Sequence, residues 1–389
     1  MIDSNGKEIR LIVGGYECKE WDDVTIDSQV DVPADAFSFS LYNPPLGHLP
    51  EAIKAGTTAE IYYGDELILT GIIDKLKESV SRAGRTLQLS GRDLAGQLID
   101  CSVPINNSRQ ITLSTLIQDY VLASPLGTVI HGFRVQNDAW LKNKITVEPS
   151  ESLYDAIAKA AQVTGQYIWM DEQGVMNIGN PFSQPQQPSQ TLNLMFEDQK
   201  NNVISASYDE DVSNVFSDLK ILSQDEKGQH ILAETNRMTP YAYARLKIIT
   251  MADVETQAEA QAAIDKVQHD NDLEAYTLTA TVPDWVINGS VWKTTGQIHF
   301  NSDVLIRANA KWVVMGRTFR LTRHEGKTTE LKLKRQGDWA QPLLYKEKEE
   351  KKAKEKRKRK KKKTSKAKKT HADLGLDEDG YGIYRGASQ

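Results

Sequence analysis

Cysteine is almost missing from this chain: Cys18 and Cys101 are the only two among 389 residues, and no C-x-x-C spacing is present. Two are too few for a disulfide framework, and both read as ordinary reduced thiols. The seven histidines (48, 131, 230, 269, 299, 324 and 371) are scattered, none within metal-ligand spacing of another His or Cys. No apolar run approaches the roughly 18 residues that read as a bilayer span. The opening MIDSNGKEIRLIVGG has no cationic stretch leading into an apolar one. Neither membrane insertion nor a signal peptide is therefore expected, and synthesis and folding in a cytoplasm follow. Also absent are G-x-S-x-G, H-E-x-x-H, a phosphate loop, and G-x-G-x-x-G after a strand. Catalysis is not expected, nor any cofactor or metal. The acidic groups at His269-Asp270, Asp272-Glu274, Glu60, Asp65, Glu66 and Asp74 read as solvated turns and helix ends. The DEDG at 377–380 lacks the later ligands of a calcium loop.

Charge is unevenly placed. Of 48 Lys+Arg and 53 Asp+Glu, 16 basic but only 4 acidic residues fall between Lys346 and Lys369. The remainder keeps 32 basic against 49 acidic residues, a net of about −17. A nucleic-acid-binding fold spreads its cations over a folded face, whereas this body would repel phosphate. The basic run has no aromatic residue to stack on a base and is too highly charged to bury apolar surface. It is expected to be a disordered attachment. Three readings stand for it: a solubilising extension, an arm that orders on a partner, or a salt-sensitive contact with DNA or an acidic host surface. Lys351, Lys352, Lys360 and Lys361 carry the electrostatic reading. Leu374, Leu376, Tyr381, Ile383 and Tyr384 carry the arm reading.

The body alternates. EIRLIVGG (8–15), Val24/Ile26, Phe37/Phe39/Leu41, Ala59/Ile61/Tyr63, Leu67/Leu69 and TLQLSGRD (86–93) place apolar residues at period two between Gly and Pro breaks. That pattern predicts short antiparallel strands in a small barrel or sandwich. ITLSTLIQDYVLAS (111–124) predicts a helix through Leu113, Leu116, Ile117 and Tyr120. SLYDAIAKAAQVTG (152–165) predicts another, with a Ser152/Asp155 cap, an apolar face of Leu153, Ile157, Ala160 and Val163, and Gly165 at its stop. A hairpin around 171–174 follows, then the Pro/Gln linker 183–191. Beyond it, strands resume from 203 and surround an Ala-rich helix at 253–272 with a weak stripe at Ala258, Ala262, Ile264 and Val267. The last segment, broken at Gly316 and at 324–327, reads as a closing hairpin.

The fold class expected is α+β and β-rich, with two small antiparallel β-barrel-like domains flanking a helix-plus-hairpin module. The boundaries are 1–104 for the first barrel, 105–182 for the module, 183–340 for the second barrel and 341–389 for the basic tail. Gly71 and Gly91 follow alternating strands, where a glycine allows a bend or bulge. Arg92 and Asp93 are expected to satisfy one another, or Asp93 to cap a helix over 94–98. Cys101 ends an apolar segment and reads as core.

Thr70-Gly71-Ile72-Ile73-Asp74, Gly91-Arg92-Asp93 and Leu98-Ile99-Asp100-Cys101 occur in the order found in the baseplate hub proteins of Mu-like contractile-tailed phages, the tail protein P family. Ile72 stands where that family has tyrosine. The resemblance continues through 152–178 and 291–335, and the lysine-rich finish has a counterpart there. It implies a virion structural protein, assembled in the bacterial host cytoplasm and placed in the tail baseplate. It further implies a homotrimeric ring joining the six-fold tail tube to the three-fold membrane-piercing spike. The implied partners are the spike, the tube or tape-measure protein and the wedge proteins. The runner-up is a nucleic-acid-binding protein acting non-specifically through its lysines. A third class, a cell-wall hydrolase carried by a hub, would need a carboxylate pair in a cleft, and no stretch suggests one.

Overall fold

A computed structural model describes residues 7–335, apart from 45–48, 105–109, 137–140, 143, 149, 184–188, 198–199, 225–229, 240, 252–253 and 255. The tail 341–389 lies outside the described residues, as do its proposed docking residues, the DEDG segment and the centre of the Pro/Gln linker.

The first segment forms seven strands: β1 (Ile9–Val13), β2 (Tyr16–Cys18), β3 (Asp23–Gln29), β4 (Ala36–Tyr42), β5 (Thr58–Tyr63), β6 (Glu66–Ser81) and β7 (Gly84–Asp93). The short helix α1 (Ala95–Asp100) leads into a module of β8 (Gln110–Thr112), α2 (Leu113–Thr115), β9 (Gly132–Val135), β10 (Lys144–Thr146), α3 (Leu153–Val163), β11 (Tyr167–Met170) and β12 (Val175–Gly179). After it come β13 (Gln190–Leu194), β14 (Ser205–Glu210), β15 (Asp218–Gln224), β16 (His230–Asn236), β17 (Leu246–Thr250) and α4 (Gln257–Glu274). The chain finishes with β18 (Tyr276–Pro283), β19 (Val286–Ile287), β20 (Ser290–Val291), β21 (Gln297–Ser302), β22 (Ala310–Thr322) and β23 (Gly326–Arg335).

The α+β, β-rich character is as expected; the two barrels are not there. Strands from both ends of the chain join one open sheet of 13 strands, in the order β14-β18-β23-β22-β3-β4-β7-β6-β5-β1-β2, with β21 and β13 branching from β22. A barrel closes when the edge strands of one segment pair with each other. Here the free edge of β3 pairs antiparallel with β22, setting Ile26 opposite Phe319 and Val24 opposite Leu321. Apolar residues of the two segments thereby enter one core, which holds Leu11, Ile61 and Phe39 together with Trp285, Trp292 and Trp312. Polar ties lock the same seam: Thr318 Oγ1 donates to Asp27 Oδ1 (2.6 Å) and Lys332 Nζ to Asp31 Oδ2 (2.8 Å). Gly316 marks a bulge within β22 and not a break.

The module has its own core, in which Leu113, Ile117, Leu153, Ile157 and Ala160 meet Leu98 of α1 and Leu94 just before it. Helix α3 begins where the sequence places it. Ser152 Oγ accepts the Asp155 N–H (3.0 Å) and donates to the Asp155 carboxylate (2.7 Å), and Leu153, Ile157, Ala160 and Val163 are buried. Losing this cap through Ser152→Ala is expected to cost about 1 kcal/mol, measured as the urea unfolding free energy. The preceding helix differs from expectation, because Leu116–Leu122 winds in wide π turns after the single α turn of α2.

Helix α4 carries a full capping box, with Thr256 Oγ1 accepting the Glu259 N–H and Glu259 accepting the Thr256 N–H. It buries Ala260, Ala263, Ile264 and Leu273, so of the expected stripe only Ile264 belongs to the fully buried face. Against it packs the small sheet β16-β15-β17, through Leu219, Ile221 and Ala233.

Candidate assembly site

Strand β6 and strand β7 pair so that Gly71 lies opposite Asp93 and Ile73 opposite Gly91. A β-carbon on Gly91 would fall inside contact distance of the Ile72 carbonyl oxygen and 2.6 Å from Phe37 Cζ. One on Gly71 would collide with the Arg92 carbonyl oxygen and lie 3.0 Å from Phe37 Cε1. The two glycines are therefore the floor on which the buried Phe37 ring rests.

The register shifts between Ile73 and Lys75, which makes Asp74 the extra residue of a bulge. Its exposed carboxylate meets Arg92: the guanidinium donates to Asp74 Oδ2 (2.7 Å) and to Asp100 Oδ2 (2.6 Å). These hydrogen bonds hold Arg92 above its ordinary pKa and Asp100 below its own. Arg92 thus clamps the bulge to the last residue of α1, and does not pair with Asp93 as one of the two sequence readings had it. Asp93 takes the other option, one residue out of place. Its Oδ1 accepts the Ala95 N–H (3.0 Å), while the helix N-cap is Leu94. Cys101 is half-buried against the module core.

Asp93 also borders a small chamber between the sheet and the module. Arg317 enters it from β22, 3% exposed, donating to the Trp292 and Ile68 carbonyls and lying 4.0 Å from Glu172 of the β11–β12 turn. Asp35 stands on a partly exposed loop, yet its carboxyl turns inward and accepts the Gln29 N–H (3.0 Å). Burial pushes Asp35 up to about 7, and burial followed by the charge of Asp35 pushes Asp93 well above the carboxylate range. Nothing in the sequence signalled this group, because its members are far apart along the chain.

The acidic end of α4 is likewise not the solvated face expected of it. Asp272 is 4% exposed and receives two hydrogen bonds from Arg237 (2.6 and 2.5 Å). Asp270 accepts from Tyr167 Oη (2.5 Å) and Lys266 Nζ (2.6 Å) beside a cavity of about 380 Å³. Each acid is met by donors in a structural role. Among the described residues no group of three or more His, Cys, Asp and Glu is placed to hold a metal ion, and no helix is long and apolar enough to cross a membrane.

Two exposed apolar surfaces complete the picture. On the outer face of the small sheet, Leu222, Leu246 and Ile248 are exposed, with Lys220 opposite Ile248 across the strand pair. Elsewhere, the Phe196 N–H donates to Asp303 Oδ1 (2.9 Å), which ties the exposed Phe196 to the turn that carries the exposed Val304 and Ile306. The first surface had a signal in the sequence: RLKIIT puts apolar residues on both faces of a strand, a pattern that anticipates cover on each side.

Three family profiles match successive parts of the chain: Mu phage baseplate assembly protein GpP-like, N-terminal, over residues 8–93; baseplate hub protein gp44-like, second domain, over 95–180; and tail protein, C-terminal domain, over 270–337. The baseplate hub protein gp44 of Escherichia phage Mu is 21% identical over 287 residues, 70% of this chain and 73% of that protein. The crystal structure of the tail protein from Neisseria meningitidis MC58 is 29% identical and superimposes with a TM-score of 0.71, covering 86% of this chain and 98% of the other. The 43 kDa tail protein of prophage MuSo2 from Shewanella oneidensis gives 22% and 0.70, over 85% and 98%. The class so defined is a structural protein of the phage tail baseplate, located in the virion. Within that class, the chain is similar to the gp44-like baseplate hub proteins of Mu-like phages.

Proposed function

We propose that three copies of this hub close into a ring that joins the six-fold tube of a contractile tail to the three-fold spike. The ring would contact the tube or tape-measure protein on one side, the spike on the other and the wedge proteins around its rim. The observation that carries this reading is the succession of hub and tail-protein matches over 8–93, 95–180 and 270–337 on a single chain. The two unlike apolar surfaces support it, since a closed ring of heterologous contacts requires two different faces on each subunit. The parts 1–104, 105–182 and 183–340 are proposed as the units of that ring subunit. The tail 341–389 is proposed as an attachment that the ring does not need.

The test is the solution mass of the full-length protein by sedimentation or light scattering, with negative-stain images. A particle of three times the 43.6 kDa chain mass with a central hole is the expected result. A chain that stays monomeric even when mixed with its own spike and tube proteins would sink the ring. Removal of 346–389 is expected to leave the trimer intact and to change only attachment or infectivity.

A further inference from the structure

The chamber between sheet and module is small, about 20 Å³, close to the space one water occupies. Its sheet wall presents Ser28, Asp35 and Arg317, its module wall Glu172, and Asp93 stands where the two meet. One buried donor there, Arg317 Nε, has no hydrogen-bond partner within the protein, and Ser28 Oγ has only the Asp35 carboxyl beside it. Buried groups of this kind are ordinarily satisfied, and leaving one bare costs about 1–3 kcal/mol. The chamber is polar, large enough for one molecule and supplied with both donors and acceptors, which are the conditions for a structural water.

We propose that this chamber binds one ordered water, and that the water, together with the proton kept on Asp35, latches the helical module onto the sheet. The water accepts from Arg317 Nε and donates to a carboxyl oxygen. With both carboxyls protonated, the guanidinium faces the charge of Glu172 alone. When Asp35 loses its proton to solvent, Asp35 and Glu172 are both negative around one Arg317, and Asp93 keeps its own proton beside the new charge. Of the other groups near the chamber, Glu66 and Asp171 are each matched by a cation of their own, Lys7 (3.1 Å) and Arg134 (2.9 Å), and neither cation bonds Asp35 or Asp93. Asp27 on β3, Glu66 on β6, Asp171 in the turn and Asp155 on α3 are all acidic, and the Tyr154 hydroxyl is buried and neutral. Burial raises Asp35 to about 7, so this latch strengthens on acidification and weakens as pH rises through neutrality.

Hydrogen–deuterium exchange of the full-length protein, corrected for intrinsic rates, tests the latch at about pH 6 and about pH 8.5. Protection across 153–163 and 167–179 is expected to fall by about tenfold or more at the higher pH, while the β3–β22 seam stays protected. Asp35→Asn keeps an acceptor for the Gln29 N–H without the charge, and should abolish the fall. Glu172→Gln, the second variant in case the first misfolds, should shrink it. Equal protection at both pH values in the unaltered protein, or an undiminished fall in the variant that folds, would overturn the latch. A crystal structure grown near pH 6 should show a water within hydrogen-bond reach of Arg317 Nε; a dry chamber would overturn the hydration site.

Discussion

Gly91→Val is expected to destabilise the fold by about 3 kcal/mol or more, at the upper end of what overpacking costs. Gly91 has ordinary backbone angles, so the cause is space and not conformational freedom. The new side chain would have to displace both the Ile72 carbonyl oxygen on the neighbouring strand and the Phe37 ring. The ring can turn; the carbonyl cannot move without breaking the β6–β7 ladder beside the Asp74 bulge. Shrinking the ring through Phe37→Leu should therefore fail to restore stability. Urea titration of both variants decides the matter, and a Gly91→Val protein within about 1 kcal/mol of the parent would show that the strands are not this close.

Arg237→Ala is expected to cost about 3–5 kcal/mol, because it strands a carboxylate in the interior. Arg237 follows β16 and reaches across to the last turn of α4, where its two nitrogens hold both oxygens of Asp272. Burial already raises Asp272 to about 6 even with this partner present. Without the guanidinium its folded pKa must rise further, so the folded state takes up a proton that the unfolded state releases near 4. The penalty should therefore be largest near pH 8 and shrink as pH falls towards about 6, below which the carboxyl is protonated in parent and variant alike. Unfolding free energies at about pH 5 and pH 8 check this, and a loss identical at the two values would mean that Asp272 reaches solvent. Arg237→Met, which keeps much of the side-chain bulk, separates the lost packing from the lost charge.

Local chemistry was legible in the sequence where short-range forces decide the outcome. The Ser152 cap and the face of α3 could be read because cap and stripe lie within 11 residues of one another. The strands of the first segment could be read from period two alone. What could not be read was the pairing of edges. Alternation fixes which side of β3 faces the core and leaves open whether its bare edge meets β22 or a strand of its own segment, so an open shared sheet and two barrels look alike. The same limit applied to charge. Asp272 reads as solvated until Arg237 is placed against it, and Asp35, Asp93, Glu172 and Arg317 converge only in the folded chain. On α4 the Ala-rich sequence offers several stripes of equal weight, and packing on the β15–β17 sheet selects the one through Ala260 and Ala263. The motif glycines and Arg92 were singled out by resemblance; the Phe37 floor and the Asp74–Arg92–Asp100 clamp give each a physical reason.

The β3–β22 seam also imposes an order in time. Thr318 and Asp27, bonded across it, are 291 residues apart. At about 5–20 residues per second, a ribosome holds β3 with an unpaired edge for roughly 15–60 seconds before its partner emerges. During that interval the first segment exposes Val24 and Ile26 beside a row of free backbone groups, the template on which unrelated chains aggregate. Because loop closure over such a separation is slow, the last strands to be made complete the sheet. A truncation lacking β22 would then be expected in inclusion bodies, whereas loss of the basic tail would leave solubility of the folded body unchanged.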